Sequence, residues 1–98
     1  MAGTPDERAL VKADVLETLS SVRSIKSRTG GVPMTADELL ERKVSKNEEL
    51  LLDILDEMDD DADVPLEYAS KRQRTVWLTN RKKALSVAKE IYVELYEY

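Results

Sequence analysis

The sequence predicts an all-α fold: a small irregular helical bundle of three to five helices forming a single domain over residues 1–98. Three observations carry this. Helix-start signatures recur, at Thr4-Pro5-Asp6-Glu7 and Thr35-Ala36-Asp37-Glu38, each a threonine cap with glutamate three residues on. Apolar residues recur at three- and four-residue spacing along most of the chain. The longest strongly patterned apolar segment, VAKEIYVELYEY at the C-terminus, keeps the helical period.

The first helix is expected over about 5–28. Thr4 caps it, Pro5 suits its first turn, and Val11, Val15, Leu19, Val22 and Ile25 form its stripe with Leu10 and Leu16 alongside. Arg23, Lys26 and Arg28 suit the negative end of the helix dipole, and Gly30-Gly31 supplies a left-handed stop. The second helix is expected over 36–58, with Met34 stapled onto Leu39. It runs either continuously through Leu40, Val44, Leu51, Leu55 and Met58 or with a break at 45, where Ser45-Lys46-Asn47-Glu48 offers a further capping box. The apolar block Leu50-Leu51-Leu52 with Ile54-Leu55 belongs in the core. Asp59, Asp60, Asp61 and Asp63 then oppose the dipole, so the helix stops there.

Two more helices are expected, over 64–79 and 81–97. Pro65 fits a first turn after Asp63, Leu66, Ala69, Val76 and Trp77 give a sparse stripe, and Trp77 is assigned to the core. Joined without a break they would run about 50 Å, whereas a compact chain of this size is only about 30 Å across. The long C-terminal helical region is therefore expected to break near Asn80 or to project toward a partner. Past that point Ala84, Ala88, Ile91, Leu95 and Tyr98 form one stripe, and Leu85, Tyr92 and Tyr96 a second line beside it.

Composition narrows the function. The chain has no histidine and no cysteine, which removes disulfides, thiolate chemistry, the usual zinc ligands and the commonest general base. Neither GxGxxG nor GxxxxGK[ST] occurs, so no phosphate-cradling loop is evident. A calcium loop begun at Asp59 fails because Val64 stands where glycine is needed and Ser70 where the bidentate glutamate is needed. The expectation is a protein that is not an enzyme and carries no cofactor and no metal. No run approaches the ~18 apolar residues of a membrane span, and the first residues lack the pattern of a signal peptide. A soluble, intracellular protein is expected, in the cytoplasm or as part of a viral assembly.

Charge is segregated. Residues 37–67 hold 13 acidic and 3 basic side chains, and residues 68–89 hold 7 basic and none acidic. The two segments could pair within one chain, each exposed pair adding only ~0.2–1 kcal/mol. Alternatively Lys71, Arg72, Arg74, Arg81, Lys82 and Lys83 form a face for nucleic acid or an acidic partner, with Trp77 as a stacking platform. The net charge of −5 works against the nucleic-acid alternative. The favoured reading is a non-catalytic protein-interaction module: a small adaptor, regulator or assembly subunit, of which a viral or phage structural subunit is one form. Its partner is expected to be another protein or itself in a homo-oligomer, through Ile91, Tyr92, Leu95, Tyr96 and Tyr98.

Val64-Pro65, the block Thr75-Val76-Trp77-Leu78 and Ala88-Lys89 give residues 50–96 an order that resembles the later helices of the N-terminal helical bundle of transcription elongation factors. The resemblance implies helices throughout that half. The chain lacks that family's middle-helix glycine and final-helix tryptophan, and no family is assigned on it.

Overall fold

The computed structural model describes residues 3–96. It corrects the all-α expectation: four helices and a three-stranded antiparallel sheet give a mixed α/β fold. In chain order these are α1 (Pro5–Ser21), β1 (Met34–Thr35), α2 (Ala36–Glu41), α3 (Glu48–Asp60), β2 (Leu66–Ser70), β3 (Thr75–Leu78) and α4 (Arg81–Tyr96). The strand order is β1-β3-β2.

The expected helix over 64–79 is a β-hairpin, and with it goes the helical implication of the elongation-factor resemblance. The reason lies in the side chains. Leu66 and Tyr68 on β2 stand opposite Leu78 and Val76 on β3, and Leu66, Val76 and Leu78 are buried. This is the period-two burial of a strand, and Thr75-Val76-Trp77 is a β-branched and aromatic run that a pleated surface accommodates well. The hairpin turns through Lys71–Arg74, with Arg74 at φ 53° in the left-handed region.

The first helix is likewise shorter than the expected 5–28. It ends at Ser21, Val22 forms the C-cap, and Arg23 takes φ 58°. Ser24 N–H donates to Leu19 O and Arg23 N–H to Ser20 O, a Schellman closure with arginine in the place usually held by glycine. The next residues leave the helix to join the sheet: Leu78 N–H donates to Ser24 O and Lys26 N–H to Leu78 O, both at 2.8 Å. Four serines between 20 and 27 and the β-branched Val22 and Ile25 favour this extended path over a longer helix.

α2 closes in the same manner, with Lys43 at φ 59°, Val44 N–H donating to Leu39 O, and both Val44 and Leu39 buried. At its start Thr35 and Glu38 form a reciprocal capping box. The chain re-enters helix at Glu48, where Asn47 Oδ1 accepts from Leu50 N–H at 3.2 Å. Ser45 supports that turn by accepting from Asn47 N–H.

α1 and α4 pack antiparallel. Arg81 Nε donates to Ser20 O at one end of the pair, and the Tyr92 hydroxyl donates to the Asp14 carboxylate toward the other. Ala84 and Ala88 are the buried residues of α4, small enough to let the two backbones approach. The core joins Val15, Leu16 and Leu19 of α1, Leu51, Ile54, Leu55 and Met58 of α3, and Val76 and Leu78 of β3. Trp77, expected in that core, is only half-buried on the other face of β3, where its Nε1–H donates to Glu67 Oε1 at 3.1 Å. On β2, Tyr68 N–H donates to Asp59 Oδ1 at 3.1 Å, tying the strand to the end of α3.

Candidate functional site

The chemistry-bearing residues fall on three surfaces. The first is the outer side of α4. Ala88 faces α1, and at 100° per residue Leu85, Lys89, Val93 and Tyr96 fall together beside that buried line. Leu85 is 39% exposed, Val93 40% and Tyr96 65%. With Glu17 of α1 and Tyr92 they line a groove of about 510 Å³. The Tyr92 and Tyr96 rings stack at 6.4 Å and 23°. Burial first, and then the hydrogen bond to Asp14, raise the Tyr92 phenol above its ordinary value, so it acts as a fixed donor.

The expected interface residues divide here. Tyr96 stands on the open strip and Tyr92 lines the groove as its hydroxyl reaches α1. Ile91 instead packs against the core, lining a hollow with Pro5, Ala9 and Ile54. Leu95 is half-buried, and Tyr98 lies outside the described residues. Leu85 and Val93, which were not among the expected residues, complete the strip. Leu85 stood in the second apolar line beside Tyr92 and Tyr96, and Val93 lies off both lines because it widens the strip rather than extending it.

The second surface is the hairpin tip. Lys71, Arg72 and Arg74 are exposed there, and Lys71 Nζ lies 6.0 Å from the centroid of the Tyr68 ring. Arg81, Lys82 and Lys83 stand instead in the first turn of α4, beyond the other end of β3. The one face expected to unite the six does not exist, because β3 lies between the two clusters. Along α4 the cations sit at the helix start and Glu90 and Glu94 toward its end, against the direction its dipole favours.

The third surface is α3. Glu49, Asp53, Asp56, Glu57 and Asp60 are exposed on it. Arg8 of α1 lies 2.8 Å from Glu57 and 3.9 Å from Asp53, and the Tyr68 hydroxyl donates to Asp56. Burial and then that bond raise the Tyr68 phenol. Among the described residues, the ion pairs join Arg8 to α3 and Lys26 to Glu67, and none joins the acidic segment 37–67 to the basic segment 68–89. No group of three or more acidic residues among those described is placed to hold a metal ion. No described helix is long and apolar enough to cross a membrane.

In order, α2, the connection 42–47 and α3 run helix, turn, helix, and the β2–β3 hairpin follows. Modules of helix-turn-helix type that bind DNA place the second helix in the major groove. Here that helix presents carboxylates, which repel phosphate, and the cations lie on the hairpin tip. Compared with known proteins, the chain matches no family model, no curated protein and no solved structure.

Proposed function

We propose that the protein is a non-catalytic interaction module, an adaptor, regulator or assembly subunit that engages protein through the outer side of α4. The observation that carries the reading is the strip of Leu85, Val93 and Tyr96, left exposed beside the line of Ala84 and Ala88 that the helix buries against α1. Large apolar side chains grouped on one surface gain from being covered, at about 25 cal/mol per Å² removed from water. The lack of histidine and cysteine supports the non-catalytic part, and an intracellular or viral-assembly setting belongs to the same proposal. A photocrosslinking amino acid at position 93, compared with one at the exposed position 41 of α2, tests it in an extract of the cells that make the protein. Protein adducts concentrated at position 93 are expected. Equal yields at the two positions would overturn the α4 reading.

A second reading is nucleic-acid binding, favoured by the helix-turn-helix order and the basic hairpin tip. The carboxylates of α3 restrict it to phosphate contacts from Lys71, Arg72 and Arg74. Such binding should weaken steeply between about 50 and 200 mM salt. On a labelled duplex, Arg72→Glu with Arg74→Glu should abolish measurable affinity; affinity equal to that of the unmodified protein sinks this reading.

A further inference from the structure

We infer that the occupant of the α4 strip is a second copy of this chain, laid antiparallel across it about a two-fold axis passing between Lys89 and Glu90. The inference rests on the reading of α4 as the assembly surface and goes beyond it by naming the occupant and its orientation.

The charge order of α4 carries the choice. Arg81, Lys82, Lys83 and Lys89 occupy its first part, and Glu90 and Glu94 follow. Within one helix this order opposes the backbone dipole at both ends. An antiparallel copy reverses the penalty, because each basic start then lies beside an acidic end. A parallel copy would set like charges side by side. A uniformly acidic partner would leave Glu90 and Glu94 facing like charge, and a uniformly basic one would do the same to the lysines. A pattern that complements itself on reversal is what an isologous two-fold contact requires.

The heights of the side chains agree with that axis. Leu85 of one copy lies within about 3 Å, along the helix, of Tyr96 of the other, and Lys83 within about 3 Å of Glu94. Lys89 lies in the strip itself, close to its own counterpart across the axis, and its long stem must carry the ammonium to the flank, where the other copy's Glu90 stands level with it. Val93 stands level with Ser86, whose small exposed side chain leaves room for it. Lys83, Glu90 and Glu94 share one flank of the helix, and the two-fold axis brings the corresponding flanks of the two copies to the same side of the contact.

Size sets the strength. α4 has 16 residues, about 24 Å of helix, and a strip some 12 Å wide covers on the order of 300 Å² per copy. Stable dimers bury roughly 800 Å² per partner. The dimer is therefore a weak, reversible one that forms only at high protein concentration.

Sedimentation equilibrium from about 5 to about 500 μM should show monomer passing to dimer. Val93→Asp should weaken association at least tenfold while helix content persists. Lys83→Glu and Glu94→Lys should each weaken it about three- to tenfold, and the double exchange within one chain should restore it, since both copies then carry the swapped pair. The chain has no cysteine of its own, so nitroxide labels on Ser86→Cys or Lys82→Cys report one distance each. The Lys82 pair should lie about 10 Å farther apart than the Ser86 pair. Equal distances, or a double exchange that fails to rescue, overturn the antiparallel arrangement. Monomer at every concentration overturns the second copy, and if position 93 still crosslinks to a different protein, the α4 surface stands while its occupant changes.

Discussion

Glu67 shows how much one half-buried carboxylate can organise at the residue scale. Its Oε1 lies 2.9 Å from Lys26 Nζ and accepts from Trp77 Nε1–H at 3.1 Å, so it ties the 22–33 connection and the hairpin together. The hydrogen bond from Lys26 is the chief cause of a carboxyl held below its ordinary value of 4.5, with burial opposing it. A carboxylate whose folded value is lowered contributes stability above the unfolded value and loses it as pH falls through the folded one. The chain's single tryptophan should therefore change its fluorescence at a midpoint below 4.5, and Glu67→Gln should flatten that titration. An unchanged midpoint in the variant would assign the transition to another group. Gly31 answers a different constraint, close approach: a Cβ there would stand 2.4 Å from Ile25 O and 3.3 Å from Trp77 Cε3. Gly31→Ala should cost about 1–3 kcal/mol, lowering the melting temperature by several degrees.

At the scale of elements, the starts of α1 and α2 were legible in the sequence and their ends were not. Thr4 and Thr35 cap where expected because a short polar side chain followed by glutamate has few other uses. The ends of α1 and α2 were hidden because arginine and lysine, not glycine, hold the left-handed positions 23 and 43. Gly30-Gly31, the apparent terminator, serves the approach of the connection to the sheet instead. A long side chain in that conformation carries a penalty of roughly 1 kcal/mol that glycine escapes. Lys43→Gly should thus raise the urea midpoint by up to about 1 kcal/mol equivalent, and a destabilised variant would show that Lys43 makes contacts outweighing its strain. The hairpin was missed for another reason. Leu66, Ala69, Val76 and Trp77 satisfy a sparse helical stripe, yet Thr75, Val76 and Leu78 of β3 reach burial only when the strand is paired between β1 and β2. Short strands are specified by neighbours distant in sequence, and local periodicity does not record them.

At the scale of the molecule, the segregation of charge was plain in the sequence while its use was not. The basic segment does not neutralise the acidic one: it is divided between the hairpin tip and the start of α4. The apolar residues expected to form one surface on α4 divide between the α1 contact, the core and an open strip, because which of them face α1 depends on a partner helix far away in the chain. A net charge of −5, with carboxylates crowded on α3, leaves repulsion that salt should screen. The melting temperature should accordingly rise by a few degrees from about 50 mM to about 500 mM sodium chloride. A fall would mean that the Arg8 and Lys26 pairs outweigh the repulsion.

The bond from Tyr68 N–H to Asp59 also bears on how the protein survives its own concentration. β2 lies at the margin of the sheet, and a marginal strand with open amides is a template for adding a strand from another molecule. The α3 carboxylate takes one of those amides, and Lys71 and Arg72 set charge just past the strand's end. Asp59→Ala should open this margin, and light scattering during prolonged incubation of concentrated protein should then rise sooner than for the unmodified chain. The acidic end of α3 would thus act as a guard against fibrous aggregation, a duty separate from any partner the protein binds.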